Sequence, residues 1–242
     1  MNYRWNWSVL FQEPYLGWLL SGLRWTVLVT VCACLIGLLL GTAIGVARTV
    51  PSRAARLFGA AYVELFRNVP VLVQLFLWFY VLPELVPEGW GRWLKRDLPL
   101  PEFWTSIVCL GFYAASRIGE QVRSGIEAVP RGQLSAALAS GLTLAQAYRL
   151  VLLPIAFRII IPPLTSEFLS IIRTSSVVLT IGLLELTAQS RQIENHTFQG
   201  FESFAAATAL YVAVALVATF AMGLVERRMA NRGFVARGSF AP

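Results

Sequence analysis

Apolar residues dominate this chain in runs too long for a soluble core. From Trp25 to Ala47 and again from Ser203 to Val225 no charged residue interrupts 23 positions, and about 20 apolar residues suffice to cross a bilayer as helix. Three further runs reach that width only by including ions: Asn68 to Pro83 with Arg67 beside it, Phe103 to Ser116 ahead of Arg117, and Ile159 to Leu184 around Glu167 and Arg173. The pattern predicts an all-α polytopic membrane protein with five transmembrane helices, at about 23–47, 58–83, 103–125, 152–185 and 204–226. One membrane domain takes up the whole of 1–242.

Composition agrees with the pattern. Hydrophobic residues make up 57% and charged residues only 14%, where soluble domains carry about a quarter charged. A net charge of +7 would suggest nucleic acid in a soluble chain. Here the cations fall between the apolar runs, so the positive-inside rule accounts for them. Arg48, Arg53, Arg56, Arg123, Arg131, Arg149, Arg158, Arg227, Arg228, Arg232 and Arg237 share one side, while Arg4, Arg24, Arg92, Lys95, Arg96 and Arg191 share the other with seven acidic residues. The N-terminus is expected outside and the C-terminus in the cytoplasm. Trp5, Trp7, Trp18, Trp90, Trp93 and Trp104 then gather at the outer interface. The segment Met1 to Trp7 lacks the pattern of a cleaved signal, so the first apolar run is read as a retained span.

Several chemistries fall away. Lys95 is the only lysine and lies in no phosphate-binding glycine loop, so ATP hydrolysis is not expected of this chain. His196 is the only histidine; it stands in a polar stretch read as solvated loop, without partners for a metal site or a catalytic triad. Cys32, Cys34 and Cys109 sit in apolar runs as small hydrophobes. No catalytic residue, metal or cofactor is expected in the chain.

The loop at about 129–151 has more internal structure than a connector needs. Pro130 suits a helix start, Leu134 and Leu138 recur one turn apart, and Gly141 suits the left-handed residue that ends a helix. Thr143 and Gln146 form a capping box for a second helix. Helix, glycine turn and helix, with a slim Ala/Ser face, fit either another protein's groove or the membrane interface.

The continuation separates the two. Ser135-Ala136-Ala137, then Gly141, then Val151 to Pro154 read S-A-A-x-x-x-G-x9-V-x-L-P, which resembles the E-A-A-x-x-x-G-x9-I-x-L-P loop of ATP-binding-cassette importer permeases. Glu64 to Leu75, Glu120-x-x-Arg123-x-Gly125-Ile126, Gly132-Gln133 and Pro162-Pro163-Leu164-x-x-Glu167 resemble the polar amino-acid branch of that family. The wording of Glu120 to Gly132, Gly141 to Arg149 and Pro162 to Glu167 is similar to permeases of glutamate/aspartate importers. Those permeases also lack the loop glutamate, as Ser135 does here. The resemblance implies a type I importer permease fold in the bacterial inner membrane and a coupling helix. Gly132, Gln133, Ser135, Ala136, Ala137, Gly141 and Pro154 would meet a cytosolic ATPase there. It further implies a second permease subunit, identical or homologous, two ATPase subunits holding ATP and Mg, and a periplasmic or lipid-anchored binding protein.

Ions inside spans are costly and by default face a partner or a wet cavity. Arg67 and Gln74, seven apart, are expected on one helical face; Arg67 either pairs with Glu64 or meets a substrate α-carboxylate bidentately. Arg117 either neutralises Glu120 or receives a side-chain carboxylate. Pro162-Pro163 is expected to break the fourth span and free carbonyls. Beyond it Ser166, Ser170 and Arg173 fall on one polar face, with Glu167 placed for a substrate ammonium and the hydroxyls of Thr174, Ser175 and Ser176 a turn further on. The expected function is import of acidic amino acids. Permeases for glutamine, asparagine or a broad polar range, and less favoured a secondary transporter, stand as alternatives.

Overall fold

The computed structural model describes residues 3–230, and every regular element among them is helical. Met1, Asn2, Arg232 and Arg237 lie outside the described residues. The two charge-free runs become α1 (Tyr15–Ala47) and α9 (Gly200–Ala230). On α1, Val27, Val31, Leu35 and Leu39 recur every fourth residue and are exposed. A helix apolar on its outer face as well as its inner one belongs in lipid.

Along α1 lies α5 (Pro101–Glu127). Glycines set their spacing: a Cβ at Gly37 would stand 2.6 Å from that of Ala114, and one at Gly45 2.6 Å from that of Val122. Lipid supplies no hydrophobic force between helices, so contact at this range holds the pair through dispersion. Val29, Ala33, Leu110, Ala114, Ile118 and Val122 form the sealed seam.

The stretch 58–83 is two helices rather than one rod. Here α2 (Arg53–Asn68) ends ahead of Pro70, and α3 (Val71–Leu85) leaves it at 101°. Proline has no N–H and disfavours helical backbone in the residue before it; Val69 is extended at φ −87°, ψ 129°. A short α4 (Glu88–Arg92) runs into a π turn at Trp93–Asp97 before α5 begins.

After α5 come α6 (Arg131–Ala139) and the long α7 (Leu144–Ile181). The middle of α7, Leu153–Thr174, contains Pro162 and Pro163, and the helix runs through them. The expected break does not occur. The prolines do deprive the carbonyls of Arg158 and Ile159 of their amide partners, but packing keeps the axis. Gly125 brings α5 so close that a Cβ there would lie 2.5 Å from Ile160 Cγ2, and Ile160, Ile161 and Leu164 are buried.

After Gly182 the chain forms α8 (Leu186–Thr197). His196 therefore sits in a helix, not a loop; it is exposed, with Nδ1 2.8 Å from Gln192 O and its ring 5.2 Å from that of Trp18. Among the described residues α1, α7 and α9 are long and apolar enough to cross a membrane, and the bent α2–α3 pair makes a fourth if taken as one span. At 27 residues α5 has the length, but Arg117, Glu120 and Arg123 make its second half polar.

Candidate functional site

One ion pair bridges the seam between α5 and α7. Arg117 Nε lies 2.7 Å from Glu167 Oε1 and donates to Oε2 at 2.8 Å. Glu167 is 3% exposed, whereas the Arg117 side chain is 40% exposed. The carboxylate thus grips the inner edge of the guanidinium. The outer edge, Nη1 and Nη2, projects past the Tyr113 ring, with the guanidinium carbon 5.8 Å from its centroid and Nη1 3.4 Å from its hydroxyl. That edge is the one a planar carboxylate engages bidentately.

Two expected pairings are replaced by tertiary ones. Arg117 does not neutralise Glu120, which is held instead by Arg48 from α1 and Arg123 from its own helix, while Arg123 also reaches Glu127 at 2.7 Å. Glu167 is not free for an ammonium, because Arg117 occupies it. Both results follow from the close α1–α5 and α5–α7 seams, which put side chains from different helices nearer than neighbours a turn apart.

Arg67 and Gln74 do not share a face, since the elbow at Pro70 separates them. Gln74 is buried on α3, and its Nε2 donates at 2.8 Å to the carbonyls of Phe66 and Val69, which end α2. It is a clasp across the elbow. Arg67 is exposed at the end of α2, and Glu64 takes its hydrogen bond from Asn68 at 2.8 Å rather than from Arg67.

Along α7, Ser166, Ser170 and Arg173 do lie on one side, Ser166 and Arg173 exposed and Ser170 half-buried. The hydroxyls beyond them are committed to backbone: Thr174 to Ser170 O at 2.8 Å, Ser175 to Ile172 O at 2.8 Å and Ser176 to Arg173 O at 2.9 Å. Such back-bonding removes their protons from ligand binding.

The loop before α7 has the expected local form. The first helix, α6, ends in a complete Schellman motif: Gly141 N donates to Leu138 O at 3.0 Å and Leu142 N to Ala137 O at 3.2 Å, with Gly141 at φ +87°. Thr143 and Gln146 make both bonds of the capping box. Ala137 is buried against the loop, while Gly132, Ser135 and Ala136 are exposed and Gln133 is half-buried. Pro154 follows a π turn at Tyr148–Leu152, where Leu153 N reaches back to Tyr148 O. The wider turn makes room for a ring that would clash one turn back.

Sequence reasoning passed over two buried acids. Glu185 is fully buried at the start of α8; its oxygens accept from Thr187 N at 3.0 Å, Ala188 N at 2.9 Å and the Tyr211 hydroxyl at 2.6 Å. Glu202, also buried, binds Asn6 N at 2.7 Å and the Tyr3 hydroxyl, tying the N-terminal segment to α9. The signal for Glu185 was Glu at an N-cap position ahead of a helix of mixed polarity. Among the described residues no group of three or more His, Cys, Asp or Glu side chains is placed to hold a metal.

Residues 33–231 match the family of inner membrane components of binding-protein-dependent transport systems. A glutamate/aspartate import permease protein, GltJ, of Escherichia coli O6:H1 is 45% identical over 95% of this chain and 96% of its own. A second glutamate/aspartate import permease protein of that strain, GltK, is 33% identical over 94% of this chain and 100% of its own. The crystal structure of an amino acid ABC transporter with histidines contains a chain that superposes with a TM-score of 0.75 at 30% identity, covering 94% of this chain and 100% of that one. With a family match across most of its length, a relative nearly half identical and a shared helical fold, the chain belongs to the permease subunits of binding-protein-dependent ATP-binding-cassette transport systems of the inner membrane.

Proposed function

We propose that this chain is one of two permease subunits in an ATP-driven importer of glutamate and aspartate. The Arg117–Glu167 pair carries the site: a cation fixed at Nε by a buried carboxylate, with its side chain still 40% exposed. The similarity to GltJ over nearly the whole chain supports the substrate class. Its partner is a second permease subunit, homologous or identical, and the likeness to both GltJ and GltK of one strain is compatible with a related pair. Residues 1–242 act as one permease domain crossing the membrane five times, with α5 and the α2–α3 pair counted among the crossings, the N-terminus outside and the C-terminus in the cytoplasm. A binding protein delivers substrate from outside. Two cytosolic ATPase subunits hold ATP and Mg and dock on the 129–151 loop through Gly132, Gln133, Ser135, Ala136 and Ala137, with Gly141 and Pro154 setting its shape.

Within this reading Arg117 takes the side-chain carboxylate, and Glu167 is its positioning partner. Arg67, Ser166, Ser170 and Arg173 line the route, and Gln74 holds the elbow that presents Arg67. A second reading has one observation in its favour: Glu167 neutralises Arg117, and a net-neutral pair also suits glutamine or asparagine.

The test is competition by Asp, Glu, Asn and Gln in proteoliposomes holding the complete importer with saturated binding protein. Arg117→Gln is expected to weaken the two acidic competitors about ten- to a hundredfold, the worth of a charged hydrogen bond, and to spare the amides. The charge-free Arg117→Gln/Glu167→Gln pair keeps the seam filled without a lone buried carboxylate, so loss of selectivity there reads chemistry and not misfolding. A uniform loss across all four competitors in the double variant rejects the carboxylate role. Orientation is tested in a cysteine-free background: Gly89→Cys and Gln199→Cys should react with an impermeant maleimide from outside and Ser52→Cys should not.

A further inference from the structure

A cavity of about 380 Å³ lies between α7 and α9; its walls are mainly apolar, with Arg173, Ser176, Thr187 and Tyr211 as its polar groups beside Ile172, Val212 and Ala215. It falls within the usual size of small-molecule sites. Arg173 is exposed on its span, and an arginine there needs water or a ligand rather than lipid.

The hydrogen-bond directions give this cavity a polarity. Tyr211 has one proton, and it goes to the buried Glu185 at 2.6 Å. Thr187, 3.0 Å from the Tyr211 oxygen, must then donate to it. Thr26 Oγ1 adds a longer contact to Glu185 at 3.5 Å, and none of the ion pairs found among the described residues includes Glu185. The Thr187 and Tyr211 protons therefore run toward the buried carboxylate, and the Ser176 proton goes to Arg173 O at 2.9 Å. What remains for a ligand is the oxygen lone pairs of Thr187 and Tyr211, backed by the buried Glu185 carboxyl, at one side and the Arg173 guanidinium at the other.

We propose that this cavity is an entry station for the α-amino-acid head group, its carboxylate on Arg173 and its ammonium on the lone pairs of Thr187 and Tyr211. This rests on the importer reading above. Arg173 lies six residues beyond Glu167, about 9 Å along the helix at 1.5 Å per residue, and on its outer side in the proposed orientation. The outer station recognises what all α-amino acids share; Arg117 then reads the side chain. Glu185 is a positioning residue that acts through Tyr211.

The experiment places a single cysteine on the cavity wall, Ala215→Cys, in the complete importer with Cys32, Cys34 and Cys109 replaced by serine, and follows its reaction with a charged methanethiosulfonate. Glutamate, aspartate and glutamine should each slow the reaction, and glutarate, which lacks the ammonium, should not. Adding Tyr211→Phe or Arg173→Gln should raise the protecting glutamate concentration about tenfold, the lower end for a charged hydrogen bond. Protection by glutarate equal to that by glutamate, absence of protection, or no reaction at all each overturns the station. Should protection fail while Arg117→Gln still discriminates acids from amides, the station alone is rejected; should that discrimination fail as well, the importer reading falls with it.

Discussion

The 129–151 loop and the α5–α7 seam are both built from polar groups, yet they are held in opposite ways. Every bond that shapes the loop spans five residues or fewer: Leu142 to Ala137, Gly141 to Leu138, Thr143 with Gln146. In the seam, Arg117 and Glu167 are 50 positions apart, and between α1 and α5 Arg48 and Glu120 are 72 apart. The loop is therefore a shape set by its own backbone, indifferent to most of the fold. The seam exists only when α5 and α7 have already packed, so its chemistry is inseparable from assembly.

Breaking the seam should have the larger effect. Arg117→Leu strands a carboxylate that is 3% exposed, a loss of about 3–5 kcal/mol, so the yield of intact complex in detergent should collapse. Arg117→Leu with Glu167→Leu should restore the complex while leaving transport dead. Equal yields from single and double variants, measured by size-exclusion chromatography, would show that the pair is not a unit.

Breaking the loop should leave assembly nearly whole. At Gly141 a Cβ would meet nothing within 4 Å, but the φ of +87° is left-handed, which costs an L side chain about 1–2 kcal/mol. Gly141→Leu should therefore keep the complex and lower transport and stimulated ATP hydrolysis. Gly132→Ala, also in open space but without a positive φ, should leave stability unchanged, and any loss of coupling there reports on the docking face directly. Smaller still, Thr143→Ala removes one side of the capping box for about 1 kcal/mol. Hydrogen exchange should then quicken at Leu144 to Gln146 and nowhere in the seam; spreading to α5 would deny the loop its independence.

The same contrast explains what the amino-acid sequence made legible. Pro130, Gly141, Thr143 and Gln146 announced the loop because local backbone rules suffice there, and the charge-free runs announced α1 and α9 because lipid demands only apolarity. Arg117 and Glu167 were recognisable as costly ions, but their partnership was not, since proximity between helices depends on glycines such as Gly37, Gly45 and Gly125 whose contacts lie far along the chain. Pro162-Pro163 misled for the same reason: a local rule for breaking helices was outweighed by packing from Ile160 and Leu164. Pro70 followed that rule, at an elbow where Gln74 supplies the missing donors.

The unbroken course of α7 from Leu144 to Ile181 has a mechanical consequence. At 1.5 Å per residue its 38 residues extend about 57 Å, well beyond the ~30 Å hydrocarbon thickness. The 129–151 loop, Glu167 and Arg173 thus ride on one lever, with the π turn near Pro154 and the proline pair as its two compliant points. A tilt of 10° about the loop end would sweep Arg173, some 43 Å away by the same rise per residue, sideways by roughly 7 Å. Displacement at the loop end and repositioning of a guanidinium near the far end become one motion, and the stiffness at Pro162-Pro163 sets how much of it arrives.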